Sequence, residues 1–157
     1  MKVLVISHAH PDISAGGGER AAYSLFQHIR DAEGVEEAVF LARAPGDAIG
    51  HSAFLGAFRG RQDELLACPP GLDPFTHTAL DYARLEEIVD AVLARFQPDV
   101  AHVHHFAFWG IELFEILKKR GVRVIFTIHE FIAICHRQGQ MLKTNGRPCT
   151  VSSPAEC

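Results

Sequence analysis

The sequence predicts an α/β domain: a doubly wound parallel sheet with helices on both faces. Three observations carry that expectation. Short, wholly apolar runs such as Val3-Leu4-Val5-Ile6 lack the in–out alternation of a half-exposed sheet, as strands buried on both faces do. Longer stretches between them place apolar residues at helical spacing. Strand and helix patterns take turns along the chain, which implies βαβ units with right-handed crossovers.

Each element follows from local pattern. Residues 2–7 form the first buried strand. A polar, glycine-rich loop follows, and Ala22, Leu25, Phe26 and Ile29 then mark one face of a helix that Gly34 is placed to stop. Residues 37–42 read as a second strand. Residues 43–74 are crowded with proline and glycine around two short candidate strands, 53–58 and 64–67. Residues 80–96 carry Leu85, Ile88, Val89, Val92, Leu93 and Phe96 on one face of a long helix. Pro98 breaks the chain before a strand at 100–104. A helix at 109–120 closes on Gly121, and 122–128 is the last apolar strand. After His129 the periodicity fades, and 138–157 is polar without repeat. The expected division is a Rossmann-like domain over 1–134 and an irregular, cysteine-containing tail over 135–157 that continues it.

Composition narrows the function classes. The 157 residues suit one ordinary domain, and 48% apolar with 22% charged residues exclude a disordered or fibrous chain. A net charge of −4 argues against a general nucleic-acid binder. No apolar run approaches the ~18 residues of a membrane span. The run at 3–6 is too short for a signal-peptide core, so a cytoplasmic chain is expected. Cys68, Cys135, Cys149 and Cys157 then read as free thiols or metal ligands rather than disulfides. A set of Cys135, Cys149, Cys157 and His136 lacks the spacing of structural zinc sites, so no metal is expected.

In this architecture ligands bind beyond the carboxyl ends of the strands, where the strand order reverses. Three loops follow such ends, at 8–18, 105–109 and 129–136. His8, His10, His105, His129 and His136 fall within them, and His102 and His104 just before one. Gly16-Gly17-Gly18-Glu19 opens the first helix, where bare backbone and exposed N–H groups suit a phosphate or diphosphate. A nicotinamide cofactor is not expected: the loop starts too far past its strand, and Arg43 stands where a ribose-binding acid is wanted. His102 and His104 share a face by period two, with His105 opposite and His102 the deeper, core-like member.

Gly17-Gly18-Glu19-Arg20, Pro98-Asp99-Val100-Ala101-His102-Val103-His104-His105 and Thr127-Ile128-His129-Glu130, in order and each at a strand end, resemble the N-terminal domain of glycosyltransferase family 4. The resemblance implies half of a GT-B architecture and a retaining, hexosyltransferase-type enzyme of glycan biosynthesis. It implies a nucleotide-sugar donor, no further cofactor, and an acceptor bound by this half. Gly16, Gly17 and Gly18 would meet the donor diphosphate, Glu19 and Glu130 would belong to the substrate-binding set, His104 and His105 would border the acceptor cleft, and His129 would be catalytic, against the transferred sugar or acceptor. Glu130 stands where the family usually has Asp. The family's donor-side domain, with its Glu-x7-Glu pair, finds no room here, so the expected partners include that domain, in cis or on another chain, and a sugar or lipid-linked acceptor. The isolated chain is expected to be inactive. Lipid-linked acceptors leave peripheral association with the inner membrane face open.

Two rival readings have residues behind them. Ala9-His10-Pro11-Asp12 resembles the Ala-His-Pro-Asp-Asp-Glu motif of zinc-dependent sugar N-deacetylases, with Ile13 and Ser14 in place of the second Asp and the Glu. A non-catalytic Rossmann-like binding module is the other, with Phe106, Phe108 and Trp109 either an apolar contact patch or a core cluster at a helix start.

Overall fold

The computed structural model describes residues 1–45, 54–135, 137 and 139–151. β1 (Lys2–Ser7), α1 (Gly17–Arg30), β2 (Glu37–Arg43), β3 (Leu55–Phe58), β4 (Arg61–Ala67), α2 (Tyr82–Phe96), β5 (Val100–Val103), α3 (Glu112–Lys119) and β6 (Arg123–Phe126) follow one another along the chain. The protein packs as two units, Met1–Thr127 and Ile128–Cys157. All nine of these elements belong to the first. The second holds, among the described residues, a 3₁₀ turn at Phe131–Ala133 and a bridge between Leu142 and Pro148.

The first unit is the expected Rossmann-like sheet, in the order β3-β4-β2-β1-β5-β6. β1 pairs in parallel with β2 on one edge and β5 on the other, and β4 and β6 extend the sheet in parallel. Alternation along β1 divides the core. Leu4 and Ile6 join the cluster beneath α2 and α3, while Val3 and Val5 pack with Ala22 and Phe26 of α1. Helices therefore cover both faces, and the strand order reverses between β1 and β5.

The sheet departs from a purely parallel one at its edge. β3 is antiparallel to β4, joined through Arg59 (φ 50°) and Gly60 (φ 79°), two successive left-handed residues whose twist suits a tight hairpin. The expected strand at 53–58 is shorter, and Ala53 lies outside the described residues. α2 starts at Tyr82 because the Asp81 carboxylate caps it, accepting the Arg84 N–H at 3.0 Å. α1 stops at Arg30, and Gly34 (φ 82°) turns the chain only afterwards.

The helix expected from residue 109 begins at Glu112 instead. Phe108 (φ 66°) and Gly110 (φ 97°) are left-handed, which no helix allows, and the chain between them tucks Trp109 into the core. Its side chain is fully buried and its Nε1–H donates to the Ser7 carbonyl at 2.9 Å. Trp109 and Phe106 are thus core residues, and Phe108 alone of the three is exposed.

Trp109→Ala removes a large packed side chain and that bond, and should cost about 4 kcal/mol of unfolding free energy. Trp109→Phe should cost less, mainly through the unpaired Ser7 carbonyl. Urea denaturation followed by far-UV circular dichroism checks both; equal losses would assign the whole effect to the hydrogen bond that both variants remove.

Candidate functional site

The strand order reverses between β1 and β5, and at their carboxyl ends His8 meets Glu19, His105 and Phe108. The His8 and His105 rings lie 4.6 Å apart between centroids, and Phe108 stacks with His8 at 6.4 Å. Arg43, at the end of β2, places its guanidinium 4.8 Å from the Phe108 ring. His8 Nε2 lies 3.0 Å from Glu19 Oε1. The Ser14 hydroxyl donates to the same oxygen at 3.2 Å.

The glycine loop opens α1 beside this cluster. Gly16 is the N-cap of α1 in an extended conformation, and Gly17 is the first helical residue. A Cβ on Gly17 would meet open space. A Cβ on Gly16 would lie 2.3 Å from Glu19 Oε2, so only glycine admits the carboxylate that folds back over the helix start. Glu19 itself is buried, an acid in the first turn of the helix.

His104 and His105 are both buried. The Ala107 N–H donates to His105 Nδ1 at 2.9 Å, so the ring proton sits on Nε2. His102 and His104 lie on one face with their rings tilted at 33° and 4.4 Å apart, as period two requires. The expected depth is reversed, however: His102 is half-buried and His104 the covered one. His102 pairs across to Ile125, which is 52% exposed on that face of β6, and its Nε2 shares a 2.7 Å hydrogen bond with the Thr127 hydroxyl.

His129 and Glu130 are exposed in the second unit. With Ile128, Phe131 and Gly139 they line a recess of about 460 Å³. Gly139 (φ 76°) is needed there, since a Cβ would come within 3.0 Å of the Ile132 nitrogen. In the same unit the Met141 N–H, above all, and then those of Arg137 and Gly139 hold the Cys135 thiol below its usual range, against the opposing effect of burial. The Cys149 N–H donates to the Met141 carbonyl at 2.7 Å. His136 and Cys157 lie outside the described residues, and among those described no three His, Cys, Asp or Glu side chains are placed to hold a metal.

One polar cluster was not expected from the sequence. His10 is buried, with Nε2 donating to Glu64 Oε2 at 2.9 Å while its Nδ1 accepts the Asp12 N–H at 3.1 Å. Glu64 Oε1 accepts from the Tyr23 hydroxyl at 3.0 Å and from Arg61 at 2.8 Å. Burial first, and then the Glu64 hydrogen bond, raise the Tyr23 phenol above its ordinary value. A lone Glu beside Leu65-Leu66-Ala67 was the available signal. The cluster also takes apart the deacetylase-like motif: both His10 nitrogens are engaged, and Asp12 pairs with Arg59 at 2.8 Å.

The family model described as Glycosyltransferase Family 4 matches residues 15–148, a span that takes in the glycine loop, His104, His105, His129 and Glu130. No curated protein and no solved structure matches the chain.

Two outcomes are expected. Glu64→Ala strands the buried His10 and Tyr23 groups and should cost about 3 kcal/mol in urea denaturation; a loss under about 1 kcal/mol would show the cluster to be dispensable. The Cys135 thiolate should persist to lower pH than a free thiol, with an alkylation midpoint below about 8.5. Peptide-resolved mass spectrometry after iodoacetamide pulses across pH reads that midpoint directly.

Proposed function

The chain belongs to glycosyltransferase family 4, and on that premise we propose that it forms the acceptor-side half of a retaining GT-B transferase using a nucleotide sugar. The observation that carries the reading is the glycine loop, which opens α1 at the carboxyl edge where the strand order reverses. Backbone N–H groups at a helix start favour an anion, and the donor diphosphate is the anion this chemistry must hold. As the sugar–phosphate bond breaks, negative charge grows on the leaving diphosphate. Fixed N–H donors at Gly16, Gly17 and Gly18 stabilise that charge without having to reorient.

His129 is the group proposed to contact the transferred sugar or the acceptor, with Glu130 beside it, and the recess they line has room for a sugar ring. His104 and His105 border the acceptor side. The reading requires no cofactor beyond the donor substrate. It does require a donor-side domain bearing paired glutamates, which these 157 residues do not include. No helix among the described residues is long and apolar enough to cross a membrane. A lipid-linked acceptor would be met at the membrane surface, on the cytoplasmic side in this reading.

In the complete enzyme, His129→Ala should lower kcat at least about a hundredfold, the usual scale for a positioned proton-handling or hydrogen-bonding group. Turnover equal to the parent would remove His129 from the mechanism. The 157-residue chain alone should transfer no sugar in a radiolabelled-donor assay.

A further inference from the structure

The amino end of α1 is already occupied by an anion, and the anion is the protein's own. Glu19 is the third residue of the helix, and its carboxylate turns back over Gly16 into the space a side chain there would fill. It is 4% exposed and is held by the Ser14 hydroxyl and by His8. A carboxylate at this position is also a common device for closing a helix start, so occupancy alone does not mark a ligand site.

A second observation does. Val3, Val5 and Ser7 alternate onto the α1 face of β1, and Val3 and Val5 pack against Ala22 and Phe26. α1 runs back antiparallel to β1, as a right-handed crossover requires, so Ser7 is directed at the first turn of the helix. Ser7 is fully buried, and its hydroxyl has no hydrogen-bond partner among the described residues. His8 Nδ1 is buried and unpartnered in the same sense. The Ser7 hydroxyl, on the face of β1 that α1 covers, thus remains unsatisfied where the helix begins. A buried hydroxyl left without a partner usually costs about 1–3 kcal/mol, which a ligand oxygen would recover.

We propose that Glu19 holds the place of a phosphate oxygen, and that a diphosphate enters by displacing this carboxylate and taking over the hydrogen bond from His8. His8 thereby becomes a diphosphate-binding residue and Glu19 a competitor of the ligand instead of a contact to it. The inference rests on the reading of residues 16–18 as the diphosphate site. It adds a specificity: a ligand with a single weak negative charge does not displace a hydrogen-bonded carboxylate, whereas a diphosphate brings more charge and more acceptor oxygens to the same N–H groups.

The test titrates inorganic pyrophosphate into the ¹⁵N-labelled chain and follows amide shifts by NMR. Glu19→Gln keeps the size of the side chain and removes its charge, and should bind pyrophosphate about tenfold more tightly than the parent, with the shifts centred on residues 16–19. Adding His8→Ala to Glu19→Gln should abolish that gain. Equal or weaker binding by Glu19→Gln, with shifts still at residues 16–18, overturns the displacement while leaving the diphosphate site standing. Shifts absent from the loop in every variant overturn both. The spectra report folding directly, and Glu19→Ala replaces Glu19→Gln if the latter does not fold.

Discussion

The structure depends on β1 being buried on both faces and bonded on both edges. Between Lys2 at its start and Ser7 at its end the strand carries only apolar side chains, so its site chemistry is confined to its carboxyl end. β2 and β5 satisfy its backbone, α1 covers Val3 and Val5, and α2 with α3 cover Leu4 and Ile6. Ser7 and His8 are the first residues free of that constraint, and they arrive where the strand order reverses. Parallel strands put neighbouring carboxyl ends side by side. That is how His105, about two-thirds of the way along the chain, comes against His8 near its start.

The polar groups at this edge are fixed by the backbone more than by each other. His10 and His105 use the same device: Nδ1 accepts the N–H of the residue two positions on, Asp12 in one case and Ala107 in the other. Accepting that N–H leaves the Nε2–H as the ring's donor, pointing away from its own loop. For His10 that donor meets Glu64, which draws Tyr23 and Arg61 into the same cluster. Three separate elements, α1, β4 and the loop after β1, are tied together through one carboxylate. A charge buried so deeply persists only because hydrogen bonds from several directions replace its water.

Much of this was legible in sequence, and the reasons for the rest are physical. The central strands and α2 are written in uninterrupted apolar pattern, and the glycine loop in residue type. The antiparallel β3 was hidden because an Arg-Gly turn lacks the Asn-Gly or Asp-Gly signature of hairpins, so a short apolar run gave no direction. The late start of α3 was hidden because Phe108 in a left-handed conformation contradicts its own propensity, and only the burial of Trp109 accounts for it. Pairs distant in sequence, such as His10 with Glu64, are set by the order of strands and not by spacing. Periodicity placed His102 and His104 on one face, but their relative depth depended on how little covers that face of β6, which no local pattern records.

A platform this rigid makes its exceptions informative. His10 and His105 are locked by main-chain donors that cannot leave without rebuilding their loops. His8 is bound differently: its one pictured bond runs to a side chain on another element, and its second nitrogen has no partner among the described residues. A bond between two side chains exchanges by rotamer change, at far less cost than breaking a backbone turn. The edge therefore divides into a fixed part, which sets the positions of N–H donors and rings, and an exchangeable part at His8 and Glu19. Fixed donors give an incoming anion a preorganised target. The exchangeable pair decides whether that target is open, because Glu19 offers the helix start a carboxylate whenever nothing stronger is present.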